Sequence, residues 1–418
     1  MINLLEELKW RGLIYDITDE VELIERLKSP ITLYCGFDPT ADSMHIGSLL
    51  PIVTLMRFHK AGHKIITLTG GGTGLIGDPS GKRAERSMNT EETVFQWADL
   101  FKKQFSKFIK FDNKTAFSLD NYEWLSKLKA IEMWRDYGRH FNINYMLAKD
   151  SVKSRIDSGL TYLEFSYMIM QSIDFLKMYQ HKDLHCEMQI GGQDQWGNIT
   201  AGIELIRKVE GPDAKVFGLT LPLITKADGT KFGKTESGAI WLDESKTSPY
   251  EMYQFFINTS DDDVIKFLKY YTFLSQDEIN VLENSVKEAP HLREAQKVLA
   301  QEIVTLVHGE EGLNNAIKLT EALFSGNVKE LNVEEIAMCF KDVQSIVSTD
   351  DMNIVDALVE VGAAPSKRQS REFINNGAVS INGEIVKDLE YIISKDKAIG
   401  NTFTVVRRGK KNYYLIKH

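Results

Sequence analysis

The stretch "ITLYCGFDPTADSMHIGS" (31–48) joins an apolar run to a polar turn and then to a helical pattern. The apolar part, residues 31–36, has the near-continuous hydrophobic character of a strand that is buried on both faces. A proline, two acids, His45 and a glycine follow within the next twelve residues. A plain connection between a strand and a helix does not need that chemistry. We therefore expect the turn to face a ligand at the carboxyl end of the strand.

The rest of the first half repeats the alternation of strand and helix. Further apolar runs at 64–72, 184–192 and 219–225 end in glycine or turn signals, and helical patterns at 47–63 and 162–179 lie between them. Buried strands that alternate with helices indicate an α/β fold with a Rossmann-like, doubly wound parallel sheet.

The character of the sequence changes after the sheet region. Two matches to the capping-box pattern, at Ser248 and Ser275, predict a helical domain, and a polar "STDD" ends a plausible linker. The last 66 residues form a small unit of their own. The predicted divisions are a sheet domain at 1–225, a helical domain at 226–325, a linker at 326–352 and a C-terminal α+β domain at 353–418.

Composition and cysteine spacing limit the class of protein. The chain has 43% hydrophobic and 26% charged residues, and no apolar run approaches the roughly 20 residues of a membrane span. The N-terminus carries acids within its apolar pattern, unlike a signal peptide. Cys35, Cys186 and Cys339 form no CxxC pair, so we expect a cytoplasmic location without disulfides. His181 and His185 lie near Cys186 but lack a second ligand pair, so we expect no metal site.

Charge is unevenly distributed along the chain. The last 66 residues contain 11 Lys and Arg against seven Asp and Glu, although the whole chain has a formal net charge of −9. This basic tail either contacts a polyanion or is a solvated surface, and charge alone leaves both open. Its candidate contact residues are Lys367, Arg368, Arg371, Arg407, Arg408, Lys410 and Lys411.

A glycine-rich loop follows the second strand. "GTGLIGDPSGKR" (72–83) has GxGxxG spacing, but Asp78 and a proline follow where a phosphate-binding helix should begin. Ile76 occupies the position of a P-loop glycine, so that pattern fails as well. Two interpretations remain, a surface turn or a basic loop in which Lys82, Arg83 and Arg86 close on phosphates.

A second basic loop follows the last apolar strand. "DGTKFGKTESG" (228–238) places Lys231 and Lys234 around a Phe-Gly pair. Such a loop is either solvated or a phosphate clamp, and its position after a sheet strand favours the clamp.

One helix carries polar residues on an otherwise apolar face. Tyr167, Gln171 and Asp174 stand at i, i+4 and i+7 and therefore share one face. Stranding a buried polar group costs about 1–3 kcal/mol, so these groups either find protein partners or line a polar pocket. We expect Tyr34 and the turn at 193–195 to face the same crevice.

In combination, five segments resemble the bacterial tyrosyl-tRNA synthetases, a family of class I aminoacyl-tRNA synthetases. These are "YCGFDPTADSMHIGS", "GLIGDPSGK", "EFSYMIMQSIDF", "GGQDQWGNITAG" and "KFGKT". The segment 364–384 resembles an RNA-binding domain that recurs in a small-subunit ribosomal protein and in pseudouridine synthases. The resemblance implies that L-tyrosine reacts with ATP to tyrosyl-adenylate and is then transferred to tRNA(Tyr). It also implies Mg²⁺ with the ATP, an anticodon-reading helical domain and a homodimer.

The resemblance also implies roles for individual residues. Those expected to act on the phosphates are Thr40, His45, Lys82, Arg86, Lys231 and Lys234. Those expected on tyrosine are Tyr34 and Asp174 at the phenolic hydroxyl, Tyr167, Gln171 and Asp78 at the ammonium, and Gln195 near the carboxylate. Those expected on the rest of ATP are Cys35, Gly36, Asp38, Gly47, Ser48, Gly192 and Asp194. The basic tail is expected on tRNA.

Two residues depart from the family pattern, and two other classes of function compete. Ser48 stands where the first signature commonly ends in His, and Gln193 stands where a small residue is usual. The affinity for ATP or the rate of adenylation is therefore expected to differ from that of the family. A tryptophanyl relative or related nucleotidyltransferase shares the first signature. A non-catalytic RNA-binding protein would be expected to have lost Lys231, Lys234 or Asp194, and all three are present.

Overall fold

The computed structural model describes residues 4–80, 88–156, 159–235, 238–325, 327–341, 343–409 and 412–418. The chain divides into two compact units. The first comprises residues 1–247 and 258–307, and the second comprises residues 248–257 and 308–418. Within the described residues, no helix is both long and apolar enough to cross a membrane.

The first unit is built on a six-stranded sheet. Its strands are β1 (Asp16–Ile17), β2 (Thr32–Phe37), β3 (Lys64–Thr69), β4 (Ala116–Asp120), β5 (Cys186–Gly192) and β6 (Phe217–Leu221). They lie in the order β1-β6-β5-β2-β3-β4, and all neighbours are parallel except β1 and β6. The chain runs outward from β2 to β4 and then restarts at β5 on the other side of β2. This topological switch point opens a crevice at the carboxyl ends of β2 and β5.

The structure confirms the predicted parallel sheet, but some of its strands end at other residues than predicted and one strand is additional. The strand predicted at 219–225 ends at Leu221, because Pro222 has no N–H to continue the ladder. The glycines at 70–72 follow β3 as a loop rather than extending it. The strand β4 was not predicted at all.

Helices cover the sheet and extend the first unit. They are α1 (Leu4–Trp10), α2 (Glu20–Arg26), α3 (Ile46–Lys60), α4 (Glu91–Phe108), α5 (Tyr122–Leu125), α6 (Ala130–Glu132), α7 (Ile143–Leu147), α8 (Asp150–Ile156), α9 (Tyr162–Gln180), α10 (Trp196–Glu210), α12 (Asp261–Tyr271) and α13 (Gln276–Glu288). Two short strands, β7 (Lys234–Thr235) and β8 (Gly238–Ala239), pair antiparallel. The capping box predicted at Ser275 is confirmed at the start of α13, where Ser275 and Glu278 exchange hydrogen bonds.

The second unit combines helices with a five-stranded sheet. Its helices are α11 (Pro249–Ile257), α15 (Val333–Cys339), α16 (Ile354–Glu360) and α17 (Lys367–Asn375), while α14 (Glu294–Ser325) is interrupted at Gly309 and contributes to both units. The five strands of the sheet are β9 (Ser345–Val347), β11 (Val379–Ile381), β12 (Glu384–Ile385), β14 (Phe403–Arg408) and β15 (Asn412–Lys417), and two more strands, β10 (Met352–Asn353) and β13 (Ile392–Ile393), pair with each other.

The segment predicted as a linker, 326–352, contains regular structure. Asn332 caps α15 in a reciprocal capping box with Glu335, and β9 pairs in parallel with β15 at the edge of the C-terminal sheet. Ile336 and Phe340 are buried in the same apolar cluster as residues of β14 and β15. The C-terminal sheet therefore recruits a strand from before residue 353, which the polar "STDD" had suggested as the boundary.

Candidate active site

A cavity of about 620 Å³ lies at the carboxyl ends of the parallel strands. It brings together most of the residues singled out from the sequence. The predicted residues that line it are Tyr34, Cys35, Gly36, Asp38, Thr40, His45, Gly47, Ser48, Asp78, Tyr167, Gln171, Asp174, Gly192, Asp194, Gln195 and Lys231.

His45 caps the helix that follows the opening turn. Its Nδ1 accepts a hydrogen bond from the backbone N–H of Gly47 at 3.0 Å. A neutral ring whose Nδ1 accepts carries its proton on Nε2, which is then a donor. A Cβ at position 47 would lie 2.7 Å from Cε1 of His45, so the ring can cap the helix only because Gly47 has no side chain. The turn thus presents an imidazole donor beside a helix N-terminus, an arrangement suited to anions.

Asp174 is buried at the inner end of the cavity. Its carboxyl is 2% exposed and accepts hydrogen bonds from Asn121 Nδ2 at 2.8 Å and from Trp124 Nε1 at 2.7 Å. Burial raises the pKa of this carboxyl to about 8, although the two N–H donors oppose the rise. Each carboxyl oxygen therefore has one protein donor and retains capacity for another partner.

The hydroxyl of Tyr34 is a buried polar group of the site without a hydrogen-bond partner among the described residues. The side chain is 1% exposed. Burial and the nearby charge of Asp174 raise the pKa of this phenol well above its usual range. Tyr34 is thus a neutral buried hydroxyl that lines the cavity beside a buried carboxyl, and a polar ligand atom would complete both.

A chain of hydrogen bonds connects this inner end to the opening turn. Tyr167 Oη donates to Asp38 Oδ2 at 2.8 Å, and Thr73 Oγ1 donates to Asp38 Oδ1 at 2.7 Å. Asn121 Nδ2 donates to Thr73 Oγ1 at 2.9 Å as well as to Asp174. Asp38 was assigned to the nucleotide from the sequence, whereas here it also orients a residue expected to bind the amino acid.

A second polar cluster forms the opposite wall. Gln195 Nε2 donates to Asp78 Oδ2 at 2.6 Å, and the backbone N–H of Ser80 donates to Asp78 Oδ1 at 2.9 Å. Asn198 Nδ2 donates to Gln195 Oε1 at 3.1 Å and so fixes the orientation of that amide. Asp78 and Gln195, far apart in sequence, are therefore direct neighbours.

Comparisons with known proteins place the chain in a family. A family model for class I tRNA synthetases (W and Y) matches residues 26–325, and one for the SYY-like C-terminal domain of tyrosine–tRNA ligases matches residues 335–416. The chain is 57% identical over 423 residues to tyrosine–tRNA ligase 1 of Bacillus subtilis, with 100% of both chains covered. The chain belongs to the tyrosine–tRNA ligase family. It is also 55% identical over 421 residues to the ligase of Geobacillus stearothermophilus, again with 100% of both covered.

Solved structures agree with membership in the tyrosine–tRNA ligase family. A C-terminally truncated mitochondrial tyrosyl-tRNA synthetase of Aspergillus nidulans is 31% identical with a TM-score of 0.70, covering 78% of this chain and 95% of that one. The Archaeoglobus fulgidus tyrosyl-tRNA synthetase, 17% identical with a TM-score of 0.57, covers 74% of this chain and 99% of that one and shares the fold. The resemblance stated from the sequence is thus confirmed, and the tryptophanyl, nucleotidyltransferase and non-catalytic alternatives are set aside.

Three of the residues predicted to contact phosphates lie wholly or partly outside the described part of this ligase-family chain. Lys82 and Arg86 lie outside the described residues, and so does the side chain of Lys234, whose backbone begins β7. Lys231 lies at the cavity and its side chain is exposed.

The residues predicted for tRNA lie in the second unit and differ in their surroundings. Arg368 and Arg371 are exposed on α17. Lys367 pairs with Asp356 at 2.6 Å, and Arg408 donates to the carbonyl of Ala363 at 2.7 Å. Arg408 also lies over the ring of Phe373 at 5.5 Å, so it supports the fold of the unit. Arg407 is half-buried on β14, and Lys410 and Lys411 lie outside the described residues.

Asn121 and Trp124 are site residues that sequence reasoning missed. They follow β4 directly, in the segment "LDNYEW", and Asn121 lines the cavity. Polar residues after a strand were the signal that identified the opening turn. The same signal was present here, but the strand was not recognised.

The raised pKa of Asp174 predicts a pH-dependent stability difference. A carboxyl whose folded pKa of about 8 exceeds its ordinary 3.8 contributes stability below pH 4 that is lost as pH rises through 8. We expect the free energy of unfolding of wild type to fall relative to Asp174→Asn by up to ~1.4 kcal/mol per pH unit in this window. In Asp174→Asn, the amide group of the new side chain also faces an N–H donor. The resulting loss in free energy of unfolding does not vary with pH. Urea unfolding of both proteins from pH 4 to 8 measures the difference, and parallel profiles would contradict it.

Proposed function

We propose that the cavity is where this tyrosine–tRNA ligase activates L-tyrosine with ATP before transferring it to the 3′ end of tRNA(Tyr). The observation that carries this proposal is that two buried groups line the same cavity: the Tyr34 hydroxyl, which has no hydrogen-bond partner among the described residues, and the Asp174 carboxyl. The phenolic hydroxyl of tyrosine is both a donor and an acceptor, so it can donate to Asp174 and accept from Tyr34.

This arrangement accounts for selection against phenylalanine. Phenylalanine in the same pose would leave the Tyr34 hydroxyl without a partner, and an unpaired buried polar group is costly. Tyrosyl-tRNA synthetases are themselves the standard example of such discrimination without editing, so we derive no separate magnitude.

The other polar groups suit the backbone atoms of the amino acid. We place the ammonium near Tyr167, Gln171 and Asp78, because the Asp78 carboxylate offers it negative charge. Gln195, which is hydrogen-bonded to Asp78, then lies near the carboxylate of the substrate. That carboxylate oxygen attacks the α-phosphorus of ATP, and the bond from phosphorus to pyrophosphate breaks.

The opening turn suits the nucleotide. Asp194 can accept hydrogen bonds from ribose hydroxyls, beside the cavity-lining residues Cys35, Gly36, Gly47, Ser48 and Gly192. His45 Nε2–H and the Thr40 hydroxyl donate to the β- and γ-phosphates at the helix N-terminus. We assign Lys82, Arg86, Lys231 and Lys234 to the departing pyrophosphate, where charge that develops in the transition state makes their interaction strongest.

The second step needs no covalent bond to the protein. A ribose hydroxyl oxygen of tRNA attacks the carbonyl carbon of tyrosyl-adenylate, the bond from that carbon to the phosphate oxygen of AMP breaks, and the hydroxyl proton passes to solvent as AMP departs. We propose that Mg²⁺ arrives with ATP and contacts its phosphates, since the described residues contain no cluster of His, Cys, Asp or Glu suited to a metal.

A cytoplasmic location is part of the same proposal, because charged tRNA is used by the ribosome.

A homodimer is supported by an apolar surface on the first unit. Of the sixteen exposed large hydrophobic residues in the described part of the chain, six fall within 131–162, and the Trp134 indole donates to Tyr162 Oη at 3.2 Å. We take the contact between Trp134 and Tyr162 as part of an apolar interaction surface. A second copy of the chain is the occupant that we propose.

Amino-acid-dependent ATP–pyrophosphate exchange tests the reaction and its selectivity. We expect exchange with tyrosine and little with phenylalanine or tryptophan. Tyr34→Phe should narrow the ratio of tyrosine to phenylalanine activity, because the unpaired hydroxyl is removed. Tyr179→Phe is the control. It makes the same change at a half-buried tyrosine that contacts His185 near the end of α9, and it should leave the ratio of tyrosine to phenylalanine activity unchanged. Folded wild type without tyrosine-dependent exchange would refute the proposed reaction.

Charge reversal on α17 tests the role of the basic tail. The double variant Arg368→Glu/Arg371→Glu should lower kcat/KM for tRNA charging by about tenfold or more, since each phosphate contact depends on positive charge. Exchange without tRNA should stay at the wild-type rate. Lys395→Glu, an exposed lysine of the same unit, serves as the control. Equal charging by the double variant and the control would remove α17 from the proposed tRNA surface.

The apolar surface can be tested by sedimentation. Trp134→Glu places a charge on it and should convert a dimer to a monomer at micromolar concentration. Val281→Glu, at a residue on α13 that is 67% exposed, should leave the assembly intact. A wild-type monomer, or a Trp134→Glu dimer as tight as wild type, would contradict the proposed interface.

A further inference from the structure

The backbone just before α3 is held from two sides. On one side it pairs with the segment that follows β8: Ile46 N–H donates to Ile240 C=O at 2.8 Å, and Leu242 N–H donates to Met44 C=O at 2.9 Å. These two bonds flank His45, which forms a bridge with Trp241. A side chain of α4 makes further hydrogen bonds to this segment.

That side chain is Gln104, which the sequence did not single out. It is 5% exposed, and its Oε1 accepts from the Met44 N–H at 2.9 Å. Its Nε2 donates to Ser43 Oγ at 2.9 Å, and Ser43 Oγ donates in turn to the Met44 carbonyl at 2.8 Å. Because the Met44 N–H can only donate, the amide of Gln104 has a single satisfactory orientation.

These bonds fix the residue that precedes His45. Met44 and Ser43 are 1% and 2% exposed, so water cannot replace Gln104 as a partner without a rearrangement. His45 has extended backbone angles, φ −116° and ψ 173°, and its ring direction depends on the cap to Gly47. A shift of Met44 would therefore move the imidazole relative to the cavity. Small displacements of positioned groups are costly in catalysis.

We propose that Gln104 is a positioning residue for His45 and acts through the backbone of Met44. This inference rests on the proposed role of His45 at the phosphates of ATP. Gln104 sets where the imidazole donor stands when pyrophosphate leaves, and it makes no contribution to the binding of tyrosine.

The first experiment separates rate from binding. Gln104→Met keeps the length of the side chain but removes both hydrogen bonds and leaves the Met44 N–H unpaired. We expect kcat for tyrosine-dependent exchange to fall roughly tenfold, with the tyrosine Kd from equilibrium dialysis within twofold of wild type. Gln296→Met makes the same substitution at a buried glutamine bonded to Thr259 and Asp261, and its exchange rate should match wild type.

A double-mutant cycle identifies the residue through which Gln104 acts. His45→Ala should abolish the effect of Gln104→Met, so that the double variant is no slower than His45→Ala alone. Ser43→Ala removes the two hydrogen bonds of the Ser43 hydroxyl but keeps the bond from the Met44 N–H to Gln104, so it supplies a milder variant if Gln104→Met does not fold. It should give a smaller loss of kcat that also vanishes in the His45→Ala background.

Failure of the inference differs from failure of the proposed function. Additive losses in the cycle, an unchanged kcat in Gln104→Met, or a tyrosine Kd that weakens in step with kcat would overturn the role of Gln104. No tyrosine-dependent exchange by wild type, or no effect of His45→Ala, would instead overturn the proposed function on which it rests.

Discussion

The hydrogen bonding of the buried Asp174 carboxyl is the interaction on which the rest of the site depends. A carboxyl this far from water persists only with partners, and the fold supplies two N–H donors from the end of β4. One of these, Asn121, also reaches Thr73, through which the network continues to Asp38 and Tyr167. The position of the carboxyl and the shape of the amino-acid pocket are therefore determined together. The burial that raises the pKa of Asp174 also makes an incoming hydroxyl a strong partner.

The topology of the sheet brings these groups together. The chain leaves β2 in one direction and returns at β5 on the other side, so the ends of both strands open into one crevice. Tyr34 lies on β2 opposite Gln189 of β5, and Asn121 follows β4. No local feature of the sequence states that Tyr34 and Asp174 meet. These two residues become neighbours through the order of the strands in the sheet. The alternation of apolar runs with helices is the part of the sequence that indicates such a sheet.

Much of the fold could be predicted because its signals are local. Long apolar runs such as 31–36 indicate buried parallel strands, and the polar turn after them predicted where the cavity would open. The strand β4, "AFSLD", is short and half polar, so its pattern was too weak, and Asn121 and Trp124 were missed with it. Gln104 lies on an amphipathic helix where sequence cannot distinguish a buried polar residue with long-range partners from a solvated one. The basic tail is similar, since charge counts cannot reveal that Arg408 serves the fold while Arg368 and Arg371 are exposed.

Proton release on ligand binding tests most directly whether Asp174 recognises the phenol of tyrosine. Asp174 is mostly protonated at pH 7 in the free protein, because its pKa is about 8. A phenol that donates to it favours the ionised form, so binding should expel that proton. Calorimetry of L-tyrosine binding at pH 7 in buffers of different ionisation enthalpy should show net proton release, and L-phenylalanine should release fewer protons. Equal proton counts for the two amino acids would contradict the account.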